Sequence, residues 1–447
     1  MKKILKYLVP IILVAIGYIA YTTYPKFDIV SGFSAKSIAS HHFMAKRSQE
    51  MTEKRDNDVP SMNMATNVVD EKSMSVTSSV YGMKERTAVY REGLGAVLIP
   101  EGMANKDLVL IPNREKLMTN ARYPYGDLDP MDTIFENIDY NRLKGAVKNA
   151  FDQREADVKK TRSVLVIYKD HIVAEQYKEG FDKNSLLLGW SMSKSVTSAV
   201  LGVLERQGKV SLDQQGLFEE WEQDERKNIT LRNLLNMNSA LAWEEDYAGI
   251  SDVTEMLFLD ADMSVKQRDK ELIGKPNEHW NYSSGTTNML SGFIRNQFST
   301  QQAYLDFWYH ELIDKIGMRS MLIETDFSGK FVGSSYGWAT ARDWGKFGLL
   351  YLHDGNWRGE QIINKSWVDF SREPTNTSNG RYGGHFWLNA GGVYPDVPKD
   401  LYSCNGFQGQ YVLIIPSKDL VVVRTGLAED PDFDVNVFLK EIVGSIE

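Results

Sequence analysis

Hydrophobic residues recur at helical spacing in a stretch just before the middle of the chain. Apolar residues lie between and after Ser191 and Lys194, at the following positions: Met192, Val196, Ala199, Val200, Val203 and Leu204. This period predicts an amphipathic helix that begins near Ser191 and is stopped by Gly208. Because residues three apart share a helix face, we expect the side chains of Ser191 and Lys194 to be in contact.

Apolar runs at both ends of the C-terminal two thirds predict strands. Residues 163–168 and 171–177 flank Lys169-Asp170, a pattern typical of a hairpin with a two-residue turn. Residues 411–416 and 420–424 predict a second pair. We expect the two pairs to join in one antiparallel sheet, with a mainly helical region of about 190–370 inserted between them. Further helices are predicted over these ranges: 141–158, 286–295 and 435–446.

The region before residue 140 has a different pattern. Residues 26–72 are polar and mixed in charge, which predicts a tether or a loosely packed cover. Short β-leaning runs follow at 76–81, 87–90 and 95–100. The predicted organisation is therefore a membrane anchor or signal sequence at 1–25, an N-terminal extension at 26–139 and a main domain at 140–447.

The first residues are typical of an export signal. Lys2, Lys3 and Lys6 precede an apolar run over 7–21, and no further charge occurs until Lys26. The run is at the short end of the about 20 residues that a spanning helix needs, and no clean Ala-x-Ala site follows it. These features favour an uncleaved anchor over a cleaved signal. Since the positive charges precede the run, the body is expected on the periplasmic side of a bacterial inner membrane.

Composition excludes several classes of partner. The net charge of −9, from 51 basic and 60 acidic residues, argues against nucleic acid, because phosphate binding needs a basic surface. The single cysteine, Cys404, excludes an intrachain disulfide and a cysteine-based metal site. Asp127, Asp129 and Asp132 lack the glycine and the terminal glutamate of a calcium loop and are interpreted as turn and cap residues. No metal and no cofactor are predicted.

Candidate chemistry starts from Ser191, since a serine hydroxyl becomes a nucleophile when an adjacent base such as a neutral lysine removes its proton. Acyl transfer also needs a second proton-handling group, two N–H donors for an oxyanion and a substrate wall. Tyr282 is a candidate for the second proton-handling group. The glycine-containing turn of Cys404–Gln410 is a candidate for the N–H donors, and Trp243 for the substrate wall. The alternatives are a packed tyrosine, an ordinary tight turn before a strand, and a core tryptophan.

Several blocks, in order, resemble the serine β-lactamase-like superfamily over about residues 140–447. They are Ser191-Met-Ser-Lys194-Ser-Val196, residues 229–243, Trp280-Asn-Tyr282-Ser-Ser284, residues 340–350 and residues 354–359. Within that superfamily the chain is most similar to the class C β-lactamase and esterase group, in particular to 6-aminohexanoate-dimer hydrolases. The resemblance implies an α/β (α+β) fold of the β-lactamase/transpeptidase type: a three-layer sandwich with an antiparallel sheet flanked by helices, and a mainly helical lobe.

The resemblance also implies roles for individual residues. Ser191 is expected to be the nucleophile, Lys194 the base and Tyr282 its partner, with the N–H groups of Ser191 and Phe407 as the oxyanion hole. Residues expected to contact substrate are Trp190, Trp243, Ser284, Asn405 and Gly406.

Two motifs depart from those of class C β-lactamases. Tyr282-Ser-Ser284 replaces Tyr-x-Asn, and Cys404-Asn-Gly406 replaces Lys-Thr-Gly, so the cation that would bind a β-lactam carboxylate has no local substitute. Ala240 also stands where many relatives have glycine. The expected function is hydrolysis of a less anionic small amide, ester or short peptide through a Ser191 acyl-enzyme. The alternatives are a β-lactamase or D-Ala-D-Ala peptidase, or a non-catalytic, membrane-anchored binding protein.

Two rival nucleophiles have weaker support. Gly333-Ser-Ser335-Tyr-Gly337 fits the Gly-x-Ser-x-Gly elbow, but no strand or parallel βαβ pattern is predicted around it. Cys404 has no histidine near it in the sequence. Thr340 and Asp343, three apart before an apolar run, are interpreted as a helix capping box.

Overall fold

The computed structural model describes Tyr18 and residues 21–105, 109–115, 119–153 and 156–447. These residues form two compact units. The N-terminal unit comprises the described part of Met1–Asp107 together with Glu244–Met263 and Asp326–Ser328, and the main unit comprises Leu108–Trp243, Ser264–Thr325 and Gly329–Glu447. Most of the predicted anchor at 1–25 lies outside the described residues. Among the residues that are described, no helix has the length and apolar character needed to cross a bilayer.

The α-helices are α1 Lys26–Ala39, α2 Gln49–Met51, α3 Tyr140–Asn149, α4 Met192–Arg206, α5 Leu231–Leu235, α6 Asp252–Phe258, α7 Ser284–Asn296, α8 Gln301–Trp308, α9 Ala341–Leu352, α10 Lys365–Arg372 and α11 Val435–Val443. The π-helical segments are Ser40–Met44, Thr52–Asp56 and Tyr309–Ile313, and the 3₁₀ segments are Met62–Met64, Glu219–Trp221, Glu225–Asn228 and Pro416–Lys418. The strands are β1 Ala65–Asp70, β2 Ser75–Val80, β3 Met83–Arg91, β4 Gly95–Leu98, β5 Thr161–Tyr168, β6 His171–Tyr177, β7 Leu187–Leu188, β8 Leu322–Ile323, β9 Gly337–Ala339, β10 Asn356–Trp357, β11 Glu360–Gln361, β12 Trp387–Leu388, β13 Tyr402–Gly406, β14 Gln410–Ile415 and β15 Leu420–Gly426.

In the N-terminal unit, α1 packs on an antiparallel sheet of order β1-β2-β3-β4. The predicted tether is wrong for α1, because Ile29, Val30, Ala35, Ile38 and Ala39 are buried. Gly32 lets α6 approach closely: a Cβ there would lie 3.2 Å from Phe258 Cβ. Burying large aliphatic side chains of this kind stabilises a fold by about 1.5–3 kcal/mol each.

The main unit is built on an antiparallel sheet of order β12-β13-β14-β15-β5-β6 within the described residues. β5 pairs with β15, with Val166 opposite Val422, so the predicted joining of the two hairpins is confirmed. The β5–β6 turn is the predicted Lys169-Asp170, and both residues have the positive φ angles (46° and 65°) of a type I′ turn.

Helices cover both faces of this sheet. Alternate residues Val164 and Val166 point to the side covered by α3 and α11, where they share a core with Phe438 and Ile442. Residues of opposite parity face α9, and a Cβ on Gly345 would lie 2.7 Å from Ile167 Cδ1. The result is the predicted helix–sheet–helix sandwich.

The inserted region is mainly helical, but it also holds a small sheet of order β7-β9-β8. Two predicted helices are shorter than expected, since α3 ends at Asn149 and α11 at Val443. Thr340 caps α9, as its Oγ1 accepts the Asp343 N–H (3.2 Å). The second half of the predicted capping box is wrong, because the Asp343 carboxylate accepts hydrogen bonds from Ser320 N–H (2.8 Å) and Oγ (2.6 Å) instead.

Candidate active site

Ser191 lies at the N-cap of α4, after a tight turn in which Trp190 has φ of +47°. The N–H groups of Met192, Ser193 and Lys194 donate to the carbonyls of Gly189, Trp190 and Ser191 at 3.0–3.1 Å. The Ser191 N–H is not among the donors used by this turn, as expected for the first N–H of a helix. The start of α4 therefore holds a half-buried serine hydroxyl and its own N–H at one point.

Two glycines let neighbouring elements pack closely against this turn. A Cβ on Gly406 would overlap the Gly189 carbonyl oxygen, and a Cβ on Gly189 would overlap the Trp344 indole of α9. Glycine at 406 therefore permits the close approach of the two backbones, and glycine at 189 leaves room for the Trp344 side chain. Phe407 follows directly, and its ring centroid lies 5.6 Å from that of Trp190 in an edge-to-face arrangement.

The Lys194 amine contacts Ser191 and two other groups. Its side chain is 1% exposed, and Nζ lies 2.9 Å from Ser191 Oγ, 2.9 Å from Ser284 Oγ and 3.0 Å from the Ser334 carbonyl oxygen. As an ammonium, Lys194 donates to all three. As a neutral amine, it has two N–H donors for Ser284 and Ser334 and a lone pair for the Ser191 hydroxyl. The same geometry therefore serves both protonation states that a general base passes through.

Tyr282 presents its ring to the same amine, with the centroid 4.8 Å from Lys194 Nζ. This ring belongs to an aromatic group with Trp280, Tyr382 and Trp387, and the Tyr282 and Trp387 centroids are 5.3 Å apart. An aromatic face stabilises a nearby cation. The structure thus places the Tyr282 ring beside Lys194, as the family resemblance implies.

Ser284 lies in the first turn of α7, and its hydroxyl contacts Lys194. From the sequence, Ser284 was expected to contact substrate. Ser283 Oγ accepts the Thr286 N–H (3.0 Å) and caps the helix. One turn further along, Asn288 Oδ1 accepts the Ser334 N–H (3.1 Å). Asn288 therefore fixes the loop whose carbonyl accepts from Lys194, and neither Asn288 nor Ser334 was predicted as a site residue.

A buried histidine near Lys194 was also not predicted. His385 Nδ1 donates to the Leu235 carbonyl (2.8 Å), so Nε2 accepts from Thr287 Oγ1 (3.0 Å). Burial lowers the pKa of His385 to about 3; the hydrogen bond to Leu235 opposes this shift, and the charge of Lys194 adds to it. A neutral imidazole here adds no positive charge beside the lysine.

Residues 407–409 form a turn that strands β14 and β15 hold from two sides. Gln410 Nε2 donates to the Phe407 carbonyl (3.1 Å) and the Gly426 carbonyl (2.6 Å). Arg424 Nη1 donates to the Gly409 carbonyl (2.6 Å), and the Gln408 N–H donates to the Glu429 carboxylate. The Phe407–Gln408 peptide is therefore held at its carbonyl by Gln410 and at its N–H by Glu429, two side chains that the sequence did not identify.

The remaining predicted substrate residues differ in position. Asn405 and Gly406 are half-buried at the end of β13, and Asn405 Oδ1 accepts from Ser403 Oγ (2.7 Å). Trp243 is buried and packs on α7, where a Cβ on Gly285 would lie 2.5 Å from its ring. Trp243 therefore supports the helix that carries Ser284.

The rival nucleophiles fit the structure poorly. Burial raises the pKa of the Cys404 thiol to about 12, which keeps it protonated. Ser335 is buried in a turn that leads into β9, so the strand–turn–helix of a nucleophile elbow is not formed there. In the part of the chain that is described, no group of three or more His, Cys, Asp or Glu residues is placed to hold a metal ion.

A serine hydroxyl on a buried lysine, at the start of a helix packed against an antiparallel sheet, defines the class: a serine hydrolase of the β-lactamase/transpeptidase-like fold. The chain belongs to the Beta-lactamase family, whose model matches residues 148–435.

Individual proteins of that class are distant in sequence. A 6-aminohexanoate-dimer hydrolase from Paenarthrobacter ureafaciens is 22% identical over 304 residues, which cover 61% of this chain and 74% of that protein. A Bacillus anthracis structure whose proposed activity is that of a 6-aminohexanoate-dimer hydrolase has a TM-score of 0.56 and 19% identity, covering 68% of this chain and 80% of that one. A family VIII carboxylesterase structure has a TM-score of 0.55 and 13% identity, covering 71% of this chain and 100% of that one.

Proposed function

We propose that the protein hydrolyses a small amide or ester through an acyl-enzyme on Ser191, with Lys194 and Tyr282 as the general base pair. The observation that carries this proposal is the 2.9 Å contact between Lys194 Nζ and Ser191 Oγ. The contacts of the amine with Ser284 and with the Ser334 carbonyl hold it in place while its protonation state changes.

The reaction follows from this geometry in two steps. Ser191 Oγ attacks the substrate carbonyl carbon and its proton passes to Lys194 Nζ, while the N–H groups of Ser191 and Phe407 hold the oxyanion. The proton then goes to the departing amine or alcohol, by way of the Tyr282 hydroxyl. Water attacks the acyl carbon by the same proton route and releases the acid.

The substrate class is argued from the third motif. At the position where Lys-Thr-Gly would supply a cation, Cys404 is buried and Asn405 is uncharged. An uncharged acyl group is therefore favoured over one that carries a carboxylate. The names of the relatives, a 6-aminohexanoate-dimer hydrolase and a carboxylesterase, are consistent with amide or ester cleavage.

The proposed location is the extracytoplasmic face of a bacterial inner membrane, with residues 1–25 as an uncleaved anchor. Support comes from Lys2, Lys3 and Lys6 before the apolar run over 7–21. Flotation of the full chain with vesicles tests the attachment, and protease protection in cells tests the side.

The catalytic proposal is tested with a panel of short neutral esters, amides and D-amino-acid peptides. Ser191→Ala is expected to lower kcat/KM by at least about a thousandfold for any substrate found. The matched control, Ser73→Ala, changes an exposed serine in the N-terminal unit and should leave the rate unchanged. Wild-type rates in Ser191→Ala would overturn the proposed nucleophile.

The substrate class has its own test with the β-lactam nitrocefin, whose carboxylate the third motif does not match. Turnover of nitrocefin is expected to be far slower than that of the best neutral ester. Nitrocefin turnover as fast as ester turnover would contradict the preference for uncharged acyl groups but not the role of Ser191.

A further inference from the structure

Large apolar side chains are exposed together at one end of the N-terminal unit. Tyr81 (69% exposed) and Met83 (39% exposed) form the tip of the β2–β3 hairpin. The Phe27 ring contacts Tyr81 with centroids 6.0 Å apart and Tyr24 with centroids 6.2 Å apart. The hairpin tip and the start of α1 thus form one continuous surface.

The chain enters this surface through two more exposed tyrosines. Tyr18 (69% exposed) and Tyr21 (80% exposed) precede Tyr24 at intervals of three, and residues 21–23 are helical. In the sequence they end the apolar run over 7–21. We call the following set the tyrosine surface: Tyr18, Tyr21, Tyr24, Phe27, Tyr81 and Met83.

The opposite end of the same sheet has another character. The β1–β2 turn exposes Glu71 and Lys72, with Met74 beside them, and the β3–β4 turn exposes Glu92. The exposed aromatic side chains therefore gather at the end of the unit that contains Tyr21, whereas the exposed turn residues at the other end are mainly charged.

Tyrosines that flank an apolar run are typical of the headgroup level of a bilayer, where the ring is sheltered and the hydroxyl stays in water. The six residue steps from Tyr21 to Phe27 rise about 9 Å in a helix, comparable to the roughly 6 Å thickness of each interfacial layer. A bilayer that holds residues 7–21 therefore lies within reach of Phe27 and of the hairpin tip that contacts it.

Charge contributes little at this surface. Lys84 Nζ lies 5.1 Å from the Tyr24 centroid but is paired with Asp28 (2.7 Å), and the exposed Lys26 and Glu85 carry opposite charges that offset each other. Attraction to anionic lipid is thus not the main source of contact. The main source of contact is the burial of aromatic and apolar surface area, which acts equally on zwitterionic lipid.

We propose that the tyrosine surface rests in the headgroup layer of the membrane that the N-terminal segment enters, so that the N-terminal unit docks on the bilayer and is not merely tethered to it. This inference depends on the proposed membrane attachment and is independent of the hydrolase chemistry.

The test places a fluorescent label at each end of the sheet. Met83→Cys at the hairpin tip is compared with Lys72→Cys in the β1–β2 turn, both exposed turn positions of the same sheet. The native Cys404 is buried with a raised pKa and stays unlabelled in the folded protein. Each full-length variant carries an environment-sensitive dye and is reconstituted into phosphatidylethanolamine vesicles, with and without phosphatidylglycerol, that contain lipids with a headgroup nitroxide quencher.

The Met83 label is expected to be quenched by the nitroxide lipid several times more strongly than the Lys72 label, in both kinds of vesicle. Equal quenching of the two labels in protein that floats with the vesicles overturns docking and leaves the anchor standing. Protein that does not float overturns the anchor and docking together. Ester hydrolysis by each labelled variant reports on the catalytic proposal separately.

Discussion

Lys194 makes its contacts with residues from distant parts of the chain. Ser191 is three residues away, while Ser284 and Ser334 are separated from it by 90 and 140 positions. The two distant oxygens accept hydrogen bonds from the amine and hold it beside the Ser191 hydroxyl. Ser284 is in this sense a positioning residue for the base.

Replacement of Ser284 tests that role. Ser284→Ala removes one acceptor from a buried amine, which costs about 1.5–3 kcal/mol for a charge-assisted bond and predicts a fall in kcat of about tenfold to a hundredfold. KM should change little, because the hydroxyl faces the lysine. Steady-state kinetics measure both, and Ser284→Thr, which keeps a hydroxyl, should recover much of the rate. If Ser284→Ala raised KM at unchanged kcat, Ser284 would be a substrate contact as the sequence suggested.

His385 gives the fold a pH dependence. Its pKa is about 3 when folded and near 6.5 when unfolded, so between these values the unfolded chain binds the extra proton. Stability is fully present above pH 6.5 and falls as the pH drops through this window. Wild type should lose about 1–2 kcal/mol more than His385→Asn between pH 6.5 and 5 in urea unfolding. Asparagine suits the positive φ of 65° at this position.

An equal acid sensitivity of the wild type and His385→Asn would contradict a neutral buried histidine at this position. The comparison between the two proteins removes the contribution of the carboxylates, which titrate in both.

Ser191 and Lys194 could be found from the sequence because their contact is local to one helix turn. Asn288, Ser334 and His385 could not, since their contacts cross the inserted region and no spacing rule connects them. Ser284 was found as a site residue, but its contact with Lys194 was not predicted, for the same reason.

At the scale of elements, the turn at Phe407–Gly409 depends on the strands that follow it. The Gln410 side chain bridges the Phe407 and Gly426 carbonyls, so it ties the end of β13 to β15. Loss of this bridge frees the Phe407–Gln408 peptide, which directly follows the peptide that carries the proposed oxyanion donor, the Phe407 N–H.

The variant Gln410→Ala and its control Gln361→Ala separate an effect on the Phe407–Gly409 turn from a general loss of folding stability. Gln361 Nε2 also bridges two carbonyls, at 2.8 and 2.7 Å, in a hairpin away from Ser191. Both variants should lose about 1–3 kcal/mol of unfolding free energy. Gln410→Ala alone should lower kcat, by about tenfold or more, as loss of oxyanion stabilisation predicts. Equal kcat values in the two variants would argue against Phe407 as a donor.

The paired hairpins were predictable because the strand pattern on either side of Lys169-Asp170 and the turn residues themselves both indicate a hairpin. The second hairpin lies at the other end of the main domain, where it is free to pair with the first. The helix α1 was not. Its buried positions include Ser31 and Ser34, which break the apolar stripe, and Ser34 finds its partner in Asn67 (2.8 Å), 33 residues away.

For the whole molecule, the order of the motif blocks was enough to predict the fold of the main unit, because each block resembles one piece of a known architecture. The N-terminal unit was not predictable in this way. It assembles 244–263 and 326–328 with the described part of Met1–Asp107, and packing between such distant segments leaves no local pattern.

The central claim is that Ser191 is the catalytic nucleophile, and covalent labelling of the whole protein tests this claim most directly. The intact full-length chain is treated with a fluorophosphonate, which reacts with an activated serine, and the adduct is located by peptide mass mapping. One adduct is expected, on Ser191, and none in Ser191→Ala, while Ser73→Ala should label as the wild type does. An adduct on another serine, equal labelling of Ser191→Ala, or an unlabelled wild type would contradict the account.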